Sequence, residues 1–199
     1  MKQFLAILVF GWMSSMAMAQ APNDIIQDAA NELATALDGR RDELAKDRVA
    51  LYALIDKILL PRFDRRYAAQ LVLGRPWRDA TAEQRERFID GFYSSMLRRY
   101  ADGVLQFDQT KIEILPFRGD LEKKRTTVKI IIRLDDGTKV PVNYEMVKRD
   151  SGWMMFDVKI EGISYIRNFK TEINAEIQAS SLDAVIERLE SEAQAATSS

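Results

Sequence analysis

The sequence of 199 residues contains neither cysteine nor histidine. Without cysteine there are no disulfides, thiolate nucleophiles or thiolate ligands, and without histidine there is no imidazole to act as a general base. Together the two absences remove nearly every zinc site. An excess of one charge is lacking as well: 29 basic residues face 30 acidic ones, so nothing points to a nucleic-acid backbone as partner. Beyond residue 19 there is no long hydrophobic run, and no internal repeat or low-complexity linker interrupts the chain. What remains is 47% hydrophobic and 30% charged, which suits one globular domain with a substantial core.

The one long apolar run is N-terminal. Lys2, the stretch Phe4 to Trp12 and the small-residue pattern Ala17-Met18-Ala19 read as a signal peptide over residues 1–19, cleaved before Gln20. The run is too short to span a bilayer, and no cysteine follows the cleavage site to carry a lipid. An exported chain without disulfides suits a bacterial periplasm.

Residues 20–103 read as mainly helical. Ile25, Ile26, Ala29, Ala30, Leu33 and Leu37 form one stripe ending at Gly39. A second run extends from Asp42 to Pro61 and a third from Phe63 to Leu73, and residues 75–80 are a connector. Thr81 followed by Gln84 is a capping box, opening a helix that runs to Ala101 with Phe88, Phe92, Met96, Leu97 and Tyr100 on its inner face and Gly103 as its end.

Residues 110–162 change to a period of two, the mark of strands. Ile112 and Ile114 begin it. Val128, Ile130, Ile132 and Leu134 then share a face, Asp135-Asp136-Gly137-Thr138 turns the chain, and Val140, Val142, Tyr144 and Met146 return. In the next strand Met154, Phe156, Val158 and Ile160 take one side and Trp153, Met155, Asp157 and Lys159 the other. Gly162 redirects the chain into a helix from Ile163, with Ile166, Phe169 and Ile173 at helical spacing, and Ser181 caps a last helix, so that residues 163–192 are helical again. The result is an α+β domain, a four-stranded antiparallel sheet covered by helices. Periodicity alone leaves open whether the dry face closes on a solid core or on a cavity.

Three features could carry chemistry. Asp157 and Glu161 are a candidate acid–base pair, but their place in the strand favours a structural hydrogen-bonding role. Asp64, just past Pro61, suits a helix cap. Lys123-Lys124-Arg125 reads as a solvated turn, or as an attraction for an anionic headgroup or acidic partner.

Leu59-Leu60-Pro61, Phe63-Asp64, Leu73-Gly74, Trp77, Ala80-Thr81, Gln84-Arg85, Phe88, Phe92 and Tyr100 occur in an order that resembles the MlaC-like proteins, the toluene-tolerance family of periplasmic phospholipid carriers. Tyr144, Met146, Gly152-Trp153, Asp157, Glu161-Gly162, Ser164 and Arg167-Asn168-Phe169 continue the likeness over roughly residues 25–190, with a departure at Phe169-Lys170. The resemblance implies a curled sheet of NTF2-like shape enclosing an apolar cavity, and a phospholipid held by its acyl chains as cargo rather than as cofactor. It also implies two partners: an outer-membrane lipoprotein complex and an inner-membrane ABC transporter complex. The residues expected to line the cavity are Val128, Ile130, Ile132, Val140, Val142, Tyr144, Phe156, Val158 and Ile160 from the sheet, with Leu71, Phe88, Phe92, Leu97, Ile163, Ile166 and Phe169 from helices. The rival reading is an exported NTF2-like enzyme acting on a small hydrophobic substrate. It needs a base in the cavity, and the two inward rows of the central hairpin contain no acid, only Tyr144 as a polar handle.

Overall fold

In the computed structural model, which describes residues 20–197, helices come first: α1 (Pro22–Leu37), α2 (Arg41–Lys46), α3 (Arg48–Leu59), α4 (Arg65–Leu73), α5 (Pro76–Asp79) and α6 (Ala82–Leu105). The sheet follows as β1 (Ile112–Ile114), β2 (Arg125–Arg133), β3 (Lys139–Arg149), β4 (Gly152–Ile160) and β5 (Ile163–Ser164), and α7 (Tyr165–Ala179) and α8 (Leu182–Thr197) close the chain. The expected signal segment lies outside the described residues. The fold is α+β, and every strand pairs antiparallel with its sequence neighbour in the order β1-β2-β3-β4-β5. Expected and observed sheets differ by one strand, β5.

That strand exists because Glu161 and Gly162 both take positive φ, +50° and +84°, the backbone of a two-residue hairpin turn. Ile163 therefore pairs with Ile160 instead of entering a helix, and it is 58% exposed. The helix begins two residues later. Ser164 caps α7 by accepting from Arg167 N at 3.0 Å, and Asp157 accepts from Ser164 Oγ at 2.6 Å and Ile166 N at 3.0 Å.

A second departure lies within β4. Glu145 pairs with Asp157 but Met146 with Met155, so Phe156 is the extra residue of a β-bulge. An added residue reverses the alternation of everything before it. Trp153 and Met155, expected opposite the apolar row, are instead buried with Val128, Ile130, Val142 and Met146 in the apolar layer of the sheet.

Smaller differences have similarly local causes. Asp47 accepts from Ala50 N and splits the expected helix from Asp42 into α2 and α3, because a capping side chain there satisfies an otherwise unpaired amide. Gly103 does not end α6, which continues to Leu105; one glycine costs a helix about 1 kcal/mol, which packing can offset. The capping box is in place, with Gln84 N to Thr81 Oγ1 at 3.1 Å and Thr81 N to Gln84 Oε1 at 2.9 Å. Asp64 caps α4 through Tyr67 N at 2.9 Å while its other oxygen accepts from Arg149 Nε at 2.7 Å.

A close-packed layer joins α4, α7, α8 and the first half of α6 around Phe88, Ile89, Phe92, Val72, Phe169, Val185, Ile186 and Leu189. Its tightest point is Gly91, where an added Cβ would come within 2.9 Å of Leu189 Cβ. The guanidinium of Arg87 holds both oxygens of Glu190 beside this contact, at 2.8 and 2.7 Å.

Candidate functional site

Between the inner sheet face and the helices the apolar layer is hollow. The cavity measures about 410 Å³, within the range of about 300–1,000 Å³ usual for small-molecule pockets. Ile130, Tyr144, Val158 and Ile160 form its sheet wall, and Ile26, Ala29, Ala30 and Leu33 of α1 face them. Ile55 and Leu59 of α3, Met96, Leu97, Tyr100 and Val104 of α6, and Tyr165, Ile166 and Phe169 of α7 extend the lining. The pair Ala29-Ala30 matters physically: a helix presenting two methyl side chains covers the sheet without filling the space in front of it.

Tyr100 and Gly103 are the lining residues exposed to solvent, so the opening runs along the second half of α6. An aromatic seam borders it. The Tyr100 ring meets Tyr165 edge-on at 4.8 Å and Phe169 at 6.3 Å, and the Arg99 guanidinium lies 4.9 Å over Phe169. Arg99 also donates to both oxygens of Glu172 at 2.9 Å, tying α6 to α7, and this hydrogen bonding holds the Glu172 carboxyl below its ordinary range.

Few polar groups reach the cavity, and most are already engaged. Tyr93 Oη donates to Asp56 at 2.6 Å, and burial, reinforced by that bond, pushes its phenol far up. Asp157 is the one charged side chain lining the cavity among the described residues, and its two oxygens are taken by Ser164 and by the first turn of α7. Tyr144 and Tyr165 have no hydrogen-bond partner among the described residues, and burial pushes the Tyr144 phenol up. No cluster of acidic residues that could hold a metal occurs among the described residues. An interior of this kind can enclose hydrocarbon, but it offers no free carboxylate to take a proton.

Of the residues expected at the cavity, Leu97, Ile130, Tyr144, Phe156, Val158, Ile160, Ile166 and Phe169 line it. Phe88 and Phe92 lie instead in the close-packed layer, with Leu71 against it, because α8 docks on that half of α6. Val128 and Val142 are buried within the sheet's apolar layer, and Ile132 and Val140 pack against that layer without reaching the cavity. Ile163 points to solvent for the hairpin reason given above. The residues missed come from α1 and α3 and equally from α6, among them Tyr93, Met96, Tyr100 and Val104, with Met155 and Asp157 brought in around the bulge. For α1 a signal existed: its apolar stripe carries adjacent alanines at its centre. Of the basic cluster, no member lines the cavity among the described residues, though Arg125 lies 5.2 Å over Tyr67 and 5.7 Å over the lining Phe156.

Comparison with known proteins adds the following. The family model described as MlaC protein matches residues 27–191. Toluene tolerance protein ttg2D of Pseudomonas putida is 24% identical over 184 residues, covering 92% of this chain and 85% of the relative. The intermembrane phospholipid transport system binding protein MlaC of Haemophilus influenzae is 22% identical over 176 residues, 84% of this chain and 82% of the relative. A phospholipid-binding protein from Ralstonia solanacearum, solved in complex with a phospholipid, shares the fold with a TM-score of 0.77 at 21% identity, over 89% of this chain and 99% of that one.

Proposed function

We propose, from the premise that this chain belongs to the MlaC protein family, that its cavity holds a phospholipid by the acyl chains and that the protein carries it across the periplasm. The donor and acceptor would be an outer-membrane lipoprotein complex and an inner-membrane ABC transporter complex, and the traffic would maintain outer-membrane lipid asymmetry. One observation carries the reading: a hollow apolar interior whose only charged lining group among the described residues is engaged in capping α7. Moving a lipid through water exposes its tails at about 0.8 kcal/mol per CH₂, so two ordinary chains cost on the order of 20 kcal/mol unless enclosed. Burial of hydrocarbon supplies this without histidine, cysteine or metal. The names of the relatives support it, one being a phospholipid transport binding protein and another having been solved with a phospholipid bound. The enzyme alternative would need a base in the cavity, where the lining carboxylate Asp157 is engaged in capping α7.

Organic extraction and mass spectrometry of protein purified from cells tests this. The expected result is near-stoichiometric phospholipid, with phosphatidylethanolamine and phosphatidylglycerol both recovered, because the contacts are to tails. Purified protein free of phospholipid, unable to acquire it from vesicles, would overturn the reading.

A further inference from the structure

Tyr144 stands on the central strand β3, opposite Val128 on β2 and Val158 on β4, and its side chain lines the cavity. Of the other polar groups lining the cavity, Tyr93 has Asp56 and Asp157 has Ser164, while Tyr165 stands with Tyr100 in the aromatic seam at the opening. The Tyr144 hydroxyl has no hydrogen-bond partner among the described residues. A cavity-facing hydroxyl stripped of water by an apolar ligand is costly if left unpaired, whereas the same hydroxyl paired to a ligand atom contributes to binding. It remains a donor under all ordinary conditions, since burial raises its pKa.

The chemistry of the wall restricts what it can donate to. Among the described residues no lysine or arginine lines the cavity, so a phosphate or a free carboxylate would enter its interior without a counter-charge. The matching acceptor is neutral and attached to hydrocarbon. We infer that Tyr144 is a specificity-determining residue whose hydroxyl donates a hydrogen bond to an acyl ester carbonyl oxygen of the bound lipid. This rests on the phospholipid reading above and adds to it a preference for ester-linked over ether-linked chains, since an ether lacks that carbonyl.

The test is competition. Lipid-free protein is equilibrated with vesicles containing equal amounts of diester and diether phosphatidylethanolamine of the same chain length, re-isolated, extracted and analysed for both. Wild-type protein is expected to enrich the ester about two- to tenfold, the worth of one hydrogen bond. Tyr144→Phe is expected to bring the ratio to about one while keeping the ether lipid at least as well as wild type, which also reports that the variant is folded. A merely structural tyrosine would change total lipid and leave the ratio alone. Equal uptake of both lipids by wild type, or enrichment persisting in Tyr144→Phe, overturns this inference alone. Failure of wild type to retain either lipid overturns the phospholipid reading and this inference with it.

Discussion

The two halves of α6 are built from similar residues and end in opposite states. In the first half Phe88, Ile89 and Phe92 are 0–4% exposed and touch α4, α7 and α8. In the second half Met96, Leu97, Tyr100 and Val104 look into the cavity. Residue type does not separate them; the facing element does. Gly91 lets α8 approach until Leu189 fills the gap, while the second half lines the cavity opposite the alanines of α1 and rests Leu97 and Val104 against the buried cluster of Ala101, Leu33 and Leu37. The same helix thus serves as rigid anchor at one end and, on the proposed function, as lipid wall at the other.

Truncation should break this comparison most sharply. Phe92→Ala removes a ring stacked on Phe88 at 5.8 Å and set edge-on to Phe169 at 5.1 Å, and is expected to cost about 3–5 kcal/mol of unfolding free energy. Leu97→Ala only enlarges a space that already exists, so it should cost about 1–2 kcal/mol, mostly lost transfer energy. Urea titration of the two variants checks the difference, and equal losses would mean the second half is as solidly packed as the first.

The two glycines of α6 offer a finer test, because one substitution should have opposite signs. Gly91→Ala drives a Cβ into Leu189 and should destabilise by about 1–3 kcal/mol. At Gly103 a Cβ meets nothing within 4 Å, so Gly103→Ala should stabilise by about 0.4–1 kcal/mol through helix propensity. Thermal unfolding midpoints on either side of wild type are the expected outcome.

The smallest effect concerns pH. Arg99 lowers the pKa of Glu172, so this pair contributes above the unfolded-state pKa and its contribution is lost as pH falls through the folded-state value. Both side chains are about half exposed, which keeps the effect small. Wild type should therefore lose slightly more stability than Glu172→Gln between neutral and acid pH. A steeper loss in the variant would contradict this sign.

Much of this fold is legible in the sequence because its determinants are local. Thr81 with Gln84, Asp64 before α4 and the Asp136-Gly137 turn each act within a few residues. The bulge at Phe156 was hidden because it depends on how β4 meets β3, and one extra residue exchanged the faces of Trp153 and Met155. Phe88 and Leu97 could not be told apart as core and wall for a related reason. Both are apolar and inward, and only the docking of α8 decides which of them is covered.

The central claim, that one half of α6 is solid and the other holds lipid, can be measured directly by photocrosslinking. A diazirine amino acid is placed at Leu97 or at Ile89 in protein purified with its native cargo, irradiated, and analysed by intact mass. The account predicts a phospholipid adduct at Leu97 and only intramolecular crosslinks at Ile89. Lipid captured at Ile89, or none at Leu97 in protein that carries phospholipid, would contradict it.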